Sequence, residues 1–223
     1  MLGILCGLES ERKIASKVSG AIVACAAARP FKARELAREL IASGATRLMS
    51  FGIAGALDSS VKLGDLIIGT RVKSEKGNWD CDTDFGHTLA MKLPYAKLGG
   101  VYGSETLVAT AADKDALFQK NGCAIVDMES QCAAEVAGEA GIPITVVRAV
   151  CDDSSMNVPE FVMAAIKEDG SVSSIKALGH LAMHPTQLPD LFHVMMGTGK
   201  ALTALNATVD GISEIAKQHS RPK

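Results

Sequence analysis

Short apolar runs recur along the chain, and most of them end at a glycine or a charged residue. Residues 142–150 form a β-branched run that is typical of a strand buried on both faces. Similar runs predict strands over residues 2–6, 21–26, 46–51, 61–72, 101–110 and 123–127. Residues 52–56, Gly-Ile-Ala-Gly-Ala, follow one of these strands, and we expect them to form a tight turn.

Helical spacing of apolar residues appears between these runs. Arg29-Pro30 begins a helix that extends to Ser43, since proline fits the first helical turn, and Gly44 ends it. Further helices are predicted over residues 111–120, 128–140 and 198–217, and residues 73–95 are expected to be an extended loop. The alternation predicts one α/β domain over residues 1–223 with a mostly parallel or mixed sheet. Its C-terminal part, from about residue 171, is helical and is interrupted by Pro185 and Pro189.

Composition narrows the possible functions. The net charge is -2 and aromatic residues make up 4% of the chain. A balanced charge attracts no polyanion, and binding of single strands uses more aromatic residues, so we expect no nucleic-acid partner. The six cysteines form no CxxC pair, so we expect reduced thiols, no metal site and a cytoplasmic location. No transmembrane segment or signal peptide is predicted.

Charged residues lie where the predicted strands end. Glu9 and Glu11 follow the first strand, Arg29 the second and Asp152 the β-branched strand, while Glu129 lies at the start of a helix. Each alone also fits an ordinary role as a turn, cap or surface residue. Together they would meet at the edge of the sheet where ligands bind. Two such carboxylates can hold a sugar and protonate a leaving group, as cleavage of an N-glycosidic bond requires.

Three motifs resemble the nucleoside phosphorylase superfamily, which includes purine and uridine phosphorylases and the methylthioadenosine/adenosylhomocysteine nucleosidases. They are Gly52–Leu57 with Leu63–Ile67, then Val126-Asp127-Met128-Glu129, and Val147–Asp152. The resemblance covers roughly residues 2–167. It implies a single-domain, three-layer fold with a central mixed, partly barrel-like sheet flanked by helices. It also implies an enzyme without an organic or metal cofactor, and a homo-oligomer.

The resemblance assigns roles to individual residues. Asp152 matches the acid at N7 of the departing purine, and Glu129 matches the carboxylate that binds the ribose 2′- and 3′-hydroxyls. Glu11 lies nearest the glutamate that activates water in the nucleosidases, with Glu9 as the alternative. The resemblance also implies further substrate contacts at Met128, Val126, Gly52, Ile53, Ala54, Ala112 and Asp113.

The chain departs from the family pattern at three places. Cys151 stands where the motif usually has serine, which weakens one hydrogen bond near the base, and Asp127 replaces glutamate, which we expect to be harmless. Residues 26–29, Ala-Ala-Ala-Arg, replace a glycine-containing turn. Arg29 at a helix N-terminus could hold phosphate, whereas a first-loop glutamate favours water. The identity of the nucleophile, phosphate or water, therefore stays open.

The C-terminal part resembles the bacterial hopanoid-associated phosphorylases through Leu188–Phe192 and Val194–Met196. This narrower resemblance implies adenosylhopane, an adenine nucleoside with a bulky 5′ lipid, as the substrate. It also implies a peripheral position at the inner membrane, with residues 188–196 as lining of a lipid groove. The alternatives are a methylthioadenosine/adenosylhomocysteine nucleosidase, a purine nucleoside phosphorylase, or a non-catalytic nucleoside-binding protein.

Overall fold

The computed structural model describes residues 1–159, 161–173 and 188–219, with side chains except at residues 161 and 188–191. The strands in these ranges are β1 (Leu2–Cys6), β2 (Ala21–Cys25), β3 (Arg47–Ala56), β4 (Leu66–Ser74), β5 (Gly77–Asp80), β6 (Lys97–Gly103), β7 (Ile125–Asp127) and β8 (Ile144–Asp152). The helices are α1 (Glu9–Ala15), α2 (Pro30–Ala42), α3 (Thr83–Lys92), α4 (Ala111–Asn121), α5 (Ser130–Ala140), α6 (Phe161–Ala164), α7 (Leu188–Asn206) and α8 (Val209–His219).

The strands form one mixed sheet that closes on itself in part. β3 pairs in parallel with β8, β8 pairs antiparallel with β4, and β4 pairs in parallel with β6. β6 then pairs with β7, which returns antiparallel to β3. These five strands make a small barrel, from which β1 and β2 continue beside β3 and β5 continues beside β4. Closure brings the ends of β3, β7 and β8 to one place.

Helices cover the sheet from two sides. On one side, α2 and α5 contribute small buried residues such as Ala33, Ala37 and Ala133 to one apolar cluster. On the other side, α3, α7 and α8 contribute larger residues such as Phe85 and Leu205 to a second cluster. In the described part of the chain no helix is long and apolar enough to cross a bilayer. The result is three layers, with the sheet between two layers of helices.

This architecture confirms the predicted α/β fold with a mixed, partly barrel-like sheet. The predicted loop over residues 73–95 is wrong, because it contains β5 and α3. α3 begins where Asp82 accepts a hydrogen bond from Phe85 N, and it buries Phe85 and Leu89 one turn apart. Two apolar residues in a polar stretch are enough for a short helix once tertiary contacts bury them.

The predicted turn over residues 52–56 is also wrong, because this stretch is the second half of β3. Pairing with β8 continues through it, with one irregularity between Ala54 and Gly55. The predicted helix over 198–217 is two helices, α7 and α8, separated by residues 207–208. Pro185 lies outside the described residues.

Candidate active site

One cavity of about 500 Å³ opens where β3, β7 and β8 end. Three acidic side chains predicted from the sequence, Glu11, Glu129 and Asp152, line it. They come from α1, from the residue that caps α5 and from the last position of β8. All three residues are at most 8% exposed to solvent, so their charges depend on protein partners rather than on water.

Glu11 is held by main-chain N–H groups of the segment after β1 and of strand β3. Its Oε2 accepts hydrogen bonds from the N–H groups of Gly7 and Leu8, each at 2.8 Å, and its Oε1 accepts from Ile53 N at 2.8 Å. Burial raises the pKa of Glu11 above its usual range, although Arg148 and these three N–H groups act to lower it. The carboxyl group is therefore fixed in position, with a pKa above its usual range.

Glu129 faces Arg148, a fully buried residue of β8 that the sequence analysis did not assign to the site. Arg148 Nη2 donates to Glu129 Oε2 at 3.2 Å and to Ser50 Oγ at 2.6 Å, while Nη1 donates to the Ile53 carbonyl at 3.2 Å. Burial raises the pKa of Glu129 to about 7, against the lowering effect of Arg148. Glu129 therefore changes protonation near neutral pH.

Asp127 joins the same buried network. Its Oδ2 lies 2.7 Å from Arg148 Nε, an ion pair without the alignment of a hydrogen bond. Its Oδ1 accepts from the N–H groups of Ser130 and Glu129, which fixes the start of α5. The Arg148 guanidinium thus forms ion pairs with Asp127 and Glu129 and interacts electrostatically with Glu11 at longer range. Three buried carboxyl groups with one such cation cannot all be charged at low cost.

Asp152 forms an ion pair with a different cation, Lys114. Its Oδ2 accepts a hydrogen bond from Lys114 Nζ, and its Oδ1 accepts from Cys151 Sγ at 3.1 Å. Burial, followed by the charge of Asp152, raises the pKa of the Cys151 thiol well above its usual range, so the thiol keeps the proton that it donates. Cysteine at this position therefore replaces one hydrogen bond with a weaker one rather than removing it.

Three glycines make room for the three carboxyl groups. A Cβ atom at Gly7 would lie 2.7 Å from Glu129 Oε1, and one at Gly55 would lie 2.8 Å from Asp152 Oδ2. A Cβ atom at Gly52 would lie 2.6 Å from Glu11 Cδ and 2.6 Å from Arg148 Nη1. This explains why glycines stand inside β3, where they weaken an ordinary strand.

Most of the other residues predicted for substrate binding also reach the cavity. Those that line it are Val126, Met128, Ile53 and Ala54, while Gly52 lies behind Glu11. Ala112 and Asp113 do not line it, because they are exposed in the first turn of α4, where Asp113 pairs with the capping residue Thr110. The next residue, Lys114, points inward instead.

Arg29 and Glu9 also lie outside the cavity. Arg29 caps α2 with its side chain 52% exposed and 4.0 Å from Glu168. Glu9 forms a two-point ion pair with Arg12 on the outer side of α1. The first-loop carboxyl group of the site is therefore Glu11 and not Glu9.

The rest of the cavity is mostly apolar. α6, α7 and the segments beside them contribute its wall, which includes Val158, Val162, Ile166, Met195 and Leu202. Val194 and Met195 line the cavity as the resemblance implied, whereas Phe192 and Met196 are exposed and do not line it. The side chains of residues 188–191 lie outside the described set. A polar end with three carboxyl groups thus continues into an apolar chamber.

Comparison with known proteins places this site in context. Residues 82–175 match the model of the Phosphorylase superfamily. This range contains Lys114, Glu129, Arg148 and Asp152. It therefore includes two of the three carboxyl groups and both buried cations.

Solved structures with the same fold include a futalosine hydrolase and two nucleosidases. A futalosine hydrolase of Helicobacter pylori aligns at 17% identity with a TM-score of 0.64, over 82% of this chain and 97% of the other. An S-adenosylhomocysteine nucleosidase from Streptococcus pyogenes, in complex with 5-methylthiotubericidin, aligns at 16% identity and 0.68, over 94% and 96%. A methylthioadenosine/adenosylhomocysteine nucleosidase from Helicobacter pylori with butyl-thio-DADMe-Immucillin-A aligns at 14% and 0.66, over 94% and 97%. At these identities the likeness establishes a shared fold.

Proposed function

We propose that this protein hydrolyses the C–N glycosidic bond of an adenine nucleoside that carries a bulky apolar 5′ substituent. The observation that carries the proposal is the arrangement of Glu11, Glu129 and Asp152 around the polar end of one cavity. Cleavage of such a bond proceeds through an oxocarbenium-like state in which positive charge develops on the sugar. Buried carboxylates next to that charge stabilise it strongly, because little water screens them.

Each carboxyl group has a part in the proposed reaction. Glu129 accepts hydrogen bonds from the ribose 2′- and 3′-hydroxyls and so fixes the sugar. Asp152 passes a proton to purine N7 as the electron pair of the C–N bond moves to the base, which then leaves as neutral adenine. Glu11 takes a proton from the water whose oxygen bonds to C1′. The products are adenine and the free sugar.

The nucleophile is assigned to water because the site offers little to an anion. None of the described residues that line the cavity is lysine or arginine. Arg29, the candidate for phosphate, is exposed outside it. The N–H groups of Gly7 and Leu8, which could otherwise bind an anion, already donate hydrogen bonds to Glu11. A phosphate dianion beside three buried carboxyl groups would be strongly repelled.

The apolar chamber supports a hydrophobic 5′ substituent. Val158, Val162 and Ile166 face it from one side, and Met195 and Leu202 from α7. Such a wall binds alkyl or polycyclic groups through area removed from water, at about 25 cal/mol for each Å². Adenosylhopane has both the adenine nucleoside and a large apolar 5′ group, and it is our proposed substrate. Since a hopane lipid resides in a bilayer, the enzyme would meet it at the membrane surface.

A second candidate is a nucleosidase for methylthioadenosine or adenosylhomocysteine. It is favoured by the solved structures that share this fold, whose ligands carry methylthio or butyl-thio groups. The chemistry at Glu11, Glu129 and Asp152 would be the same. Only the group that occupies the apolar chamber would differ.

The test is release of adenine, followed by HPLC, from adenosylhopane or a short-chain lipid analogue, methylthioadenosine and adenosine, with and without phosphate. We expect faster release from the lipid nucleoside than from the others, free sugar as the product, and no dependence on phosphate. Release from methylthioadenosine but not from the lipid would support the second candidate. Formation of a sugar phosphate would refute hydrolysis, and absence of release from all three would refute the proposed function.

Two variants connect the activity to the site. Asp152→Asn and Glu11→Gln should each lower kcat by about 100-fold or more, as is usual for loss of an acid or base. The matched controls are Asp115→Asn and Glu35→Gln, which change the same groups on exposed faces of α4 and α2. Unchanged turnover in Asp152→Asn would show that the acid is assigned to the wrong residue.

A further inference from the structure

α4 lies on the surface, and its one buried residue is a lysine. Lys114 is 0% exposed, while its neighbours Asp113 and Asp115 face solvent. Burying an ammonium group is expensive unless every donor has a partner. The partners of Lys114 therefore indicate what the side chain does.

All three donors of the ammonium group are used. Nζ donates to Asp152 Oδ2, to the Asp153 carbonyl at 2.9 Å and to the Met156 carbonyl at 2.9 Å. The two carbonyls fix the position of the nitrogen, and Asp152 is its only acidic partner among the described residues. The ammonium is therefore aimed at the carboxyl group that faces the proposed base site.

The contact bears on the proton that the leaving group needs. An ammonium and a carboxylate in direct contact form an ion pair, so Asp152 is charged in the resting site. A carboxylate has no proton to give, yet adenine leaves readily only when a ring nitrogen is protonated. The group that can supply that proton is the one hydrogen-bonded to Asp152.

We propose that Lys114 is the positioning residue of the acid, fixing the Asp152 carboxyl group and supplying through it the proton that purine N7 receives. The inference rests on the proposed function. As the C–N bond breaks and its electron pair moves to the base, Lys114 gives a proton to the Asp152 carboxylate, and Asp152 gives a proton to N7. Lys114 becomes a neutral amine that still donates to the carbonyls of Asp153 and Met156. Solvent returns its proton after adenine leaves.

A purely structural role makes a different prediction. If Lys114 only anchors residues 153–156, its loss should disturb every reaction of the site equally. If it supplies a proton to the leaving group, its loss should affect only substrates whose leaving group needs one. 4-Nitrophenyl riboside needs none, because nitrophenolate leaves as an anion.

The experiment compares Lys114→Met with the wild type on the best adenine nucleoside and on 4-nitrophenyl riboside. We expect kcat for the adenine nucleoside to fall about 100- to 1000-fold, with KM changed by no more than about threefold. Cleavage of the nitrophenyl riboside should stay within about threefold. Lys120→Met, which removes an exposed lysine from the same helix, is the control and should match the wild type on both substrates.

A second variant pair guards against a folding defect. Lys114→Met leaves a buried carboxylate without its cation, whereas Lys114→Met combined with Asp152→Asn does not. If Lys114 acts only through Asp152, the double variant and Asp152→Asn should have the same kcat on the adenine nucleoside. A further fall of about tenfold in the double variant would overturn the inference.

The outcomes separate the inference from the function on which it rests. A wild-type protein that releases adenine, together with a Lys114→Met variant that is equally active or is impaired equally on both substrates, overturns the role of Lys114 alone. A wild-type protein that releases no adenine overturns the proposed function, and the inference falls with it.

Discussion

Glu129→Gln should stabilise the folded protein at alkaline pH while impairing catalysis. Burial raises the pKa of Glu129 to about 7 from an ordinary value of 4.5. A carboxyl group whose pKa is raised by folding favours the folded state in its neutral form. That contribution is fully present below the unfolded pKa and is lost as pH rises through the folded pKa. Glutamine cannot ionise, so the variant avoids the loss.

The magnitude follows from the two pKa values. A rise from 4.5 to about 7 corresponds to about 3 kcal/mol, at ~1.4 kcal/mol for each tenfold change in proton affinity. Most of this, on the order of 2–3 kcal/mol, develops between about pH 5 and about pH 8.5. The free energy of unfolding of the variant, minus that of the wild type, should therefore increase by about 2–3 kcal/mol across this range. Any constant effect of the amide group cancels from the comparison.

The assay is urea unfolding of both proteins at the two pH values. The exposed Glu35→Gln variant is the control, and its difference from the wild type should not change with pH because its carboxylate stays in water. kcat/KM of Glu129→Gln should fall about 10- to 100-fold, the usual size of a hydrogen bond to a charged group. A stability difference for Glu129→Gln that is the same at both pH values would refute the reasoning.

Three further substitutions test other parts of the site. Gly55→Ala should lower kcat about 100-fold, because the new Cβ would lie 2.8 Å from Asp152 Oδ2 and displace the acid; Gly86→Ala, whose Cβ has 3.5 Å of clearance, should keep full activity. Arg148→Met should destabilise the fold by about 3–5 kcal/mol in urea unfolding near neutral pH and by less in acid, where the carboxyl groups that it leaves unpaired take up protons; an equal loss at both pH values would contradict this. Arg29→Ala should leave adenine release unchanged with and without phosphate, and a phosphate-dependent loss would return Arg29 to the site.

Local sequence patterns were sufficient to predict the strands and helices that depend mainly on their own residues. The β-branched run over residues 142–150 predicted β8, and Arg29-Pro30 with Gly44 predicted α2 to within a residue or two. α3 was missed because its two large buried residues, Phe85 and Leu89, become informative only when α8 and the sheet cover them. The glycines of β3 were misinterpreted because nothing local shows that carboxyl groups press against them.

The two buried cations, Arg148 and Lys114, differ in how clearly the sequence indicates their burial. Arg148 stands in the middle of an apolar β-branched run, and a charged residue inside a buried strand must have an acidic partner. The position of Arg148 in this run was therefore enough to indicate a buried ion pair. Lys114 gave no such signal, because it lies between two aspartates in a polar helix and looks like part of a solvated face.

By itself, therefore, the sequence determined the α/β layering and indicated Glu129 and Asp152 as candidate acids, with Glu11 or Glu9 as the third, because hydrophobic periodicity and motif spacing are properties of neighbouring positions. Only the tertiary structure decided which cation serves which carboxyl group, that Arg29, Ala112 and Asp113 lie outside the cavity, and that the remaining wall is apolar. These facts depend on the barrel closing β3 against β7 and β8. That closure brings together residues more than a hundred positions apart, and their distances set both burial and charge.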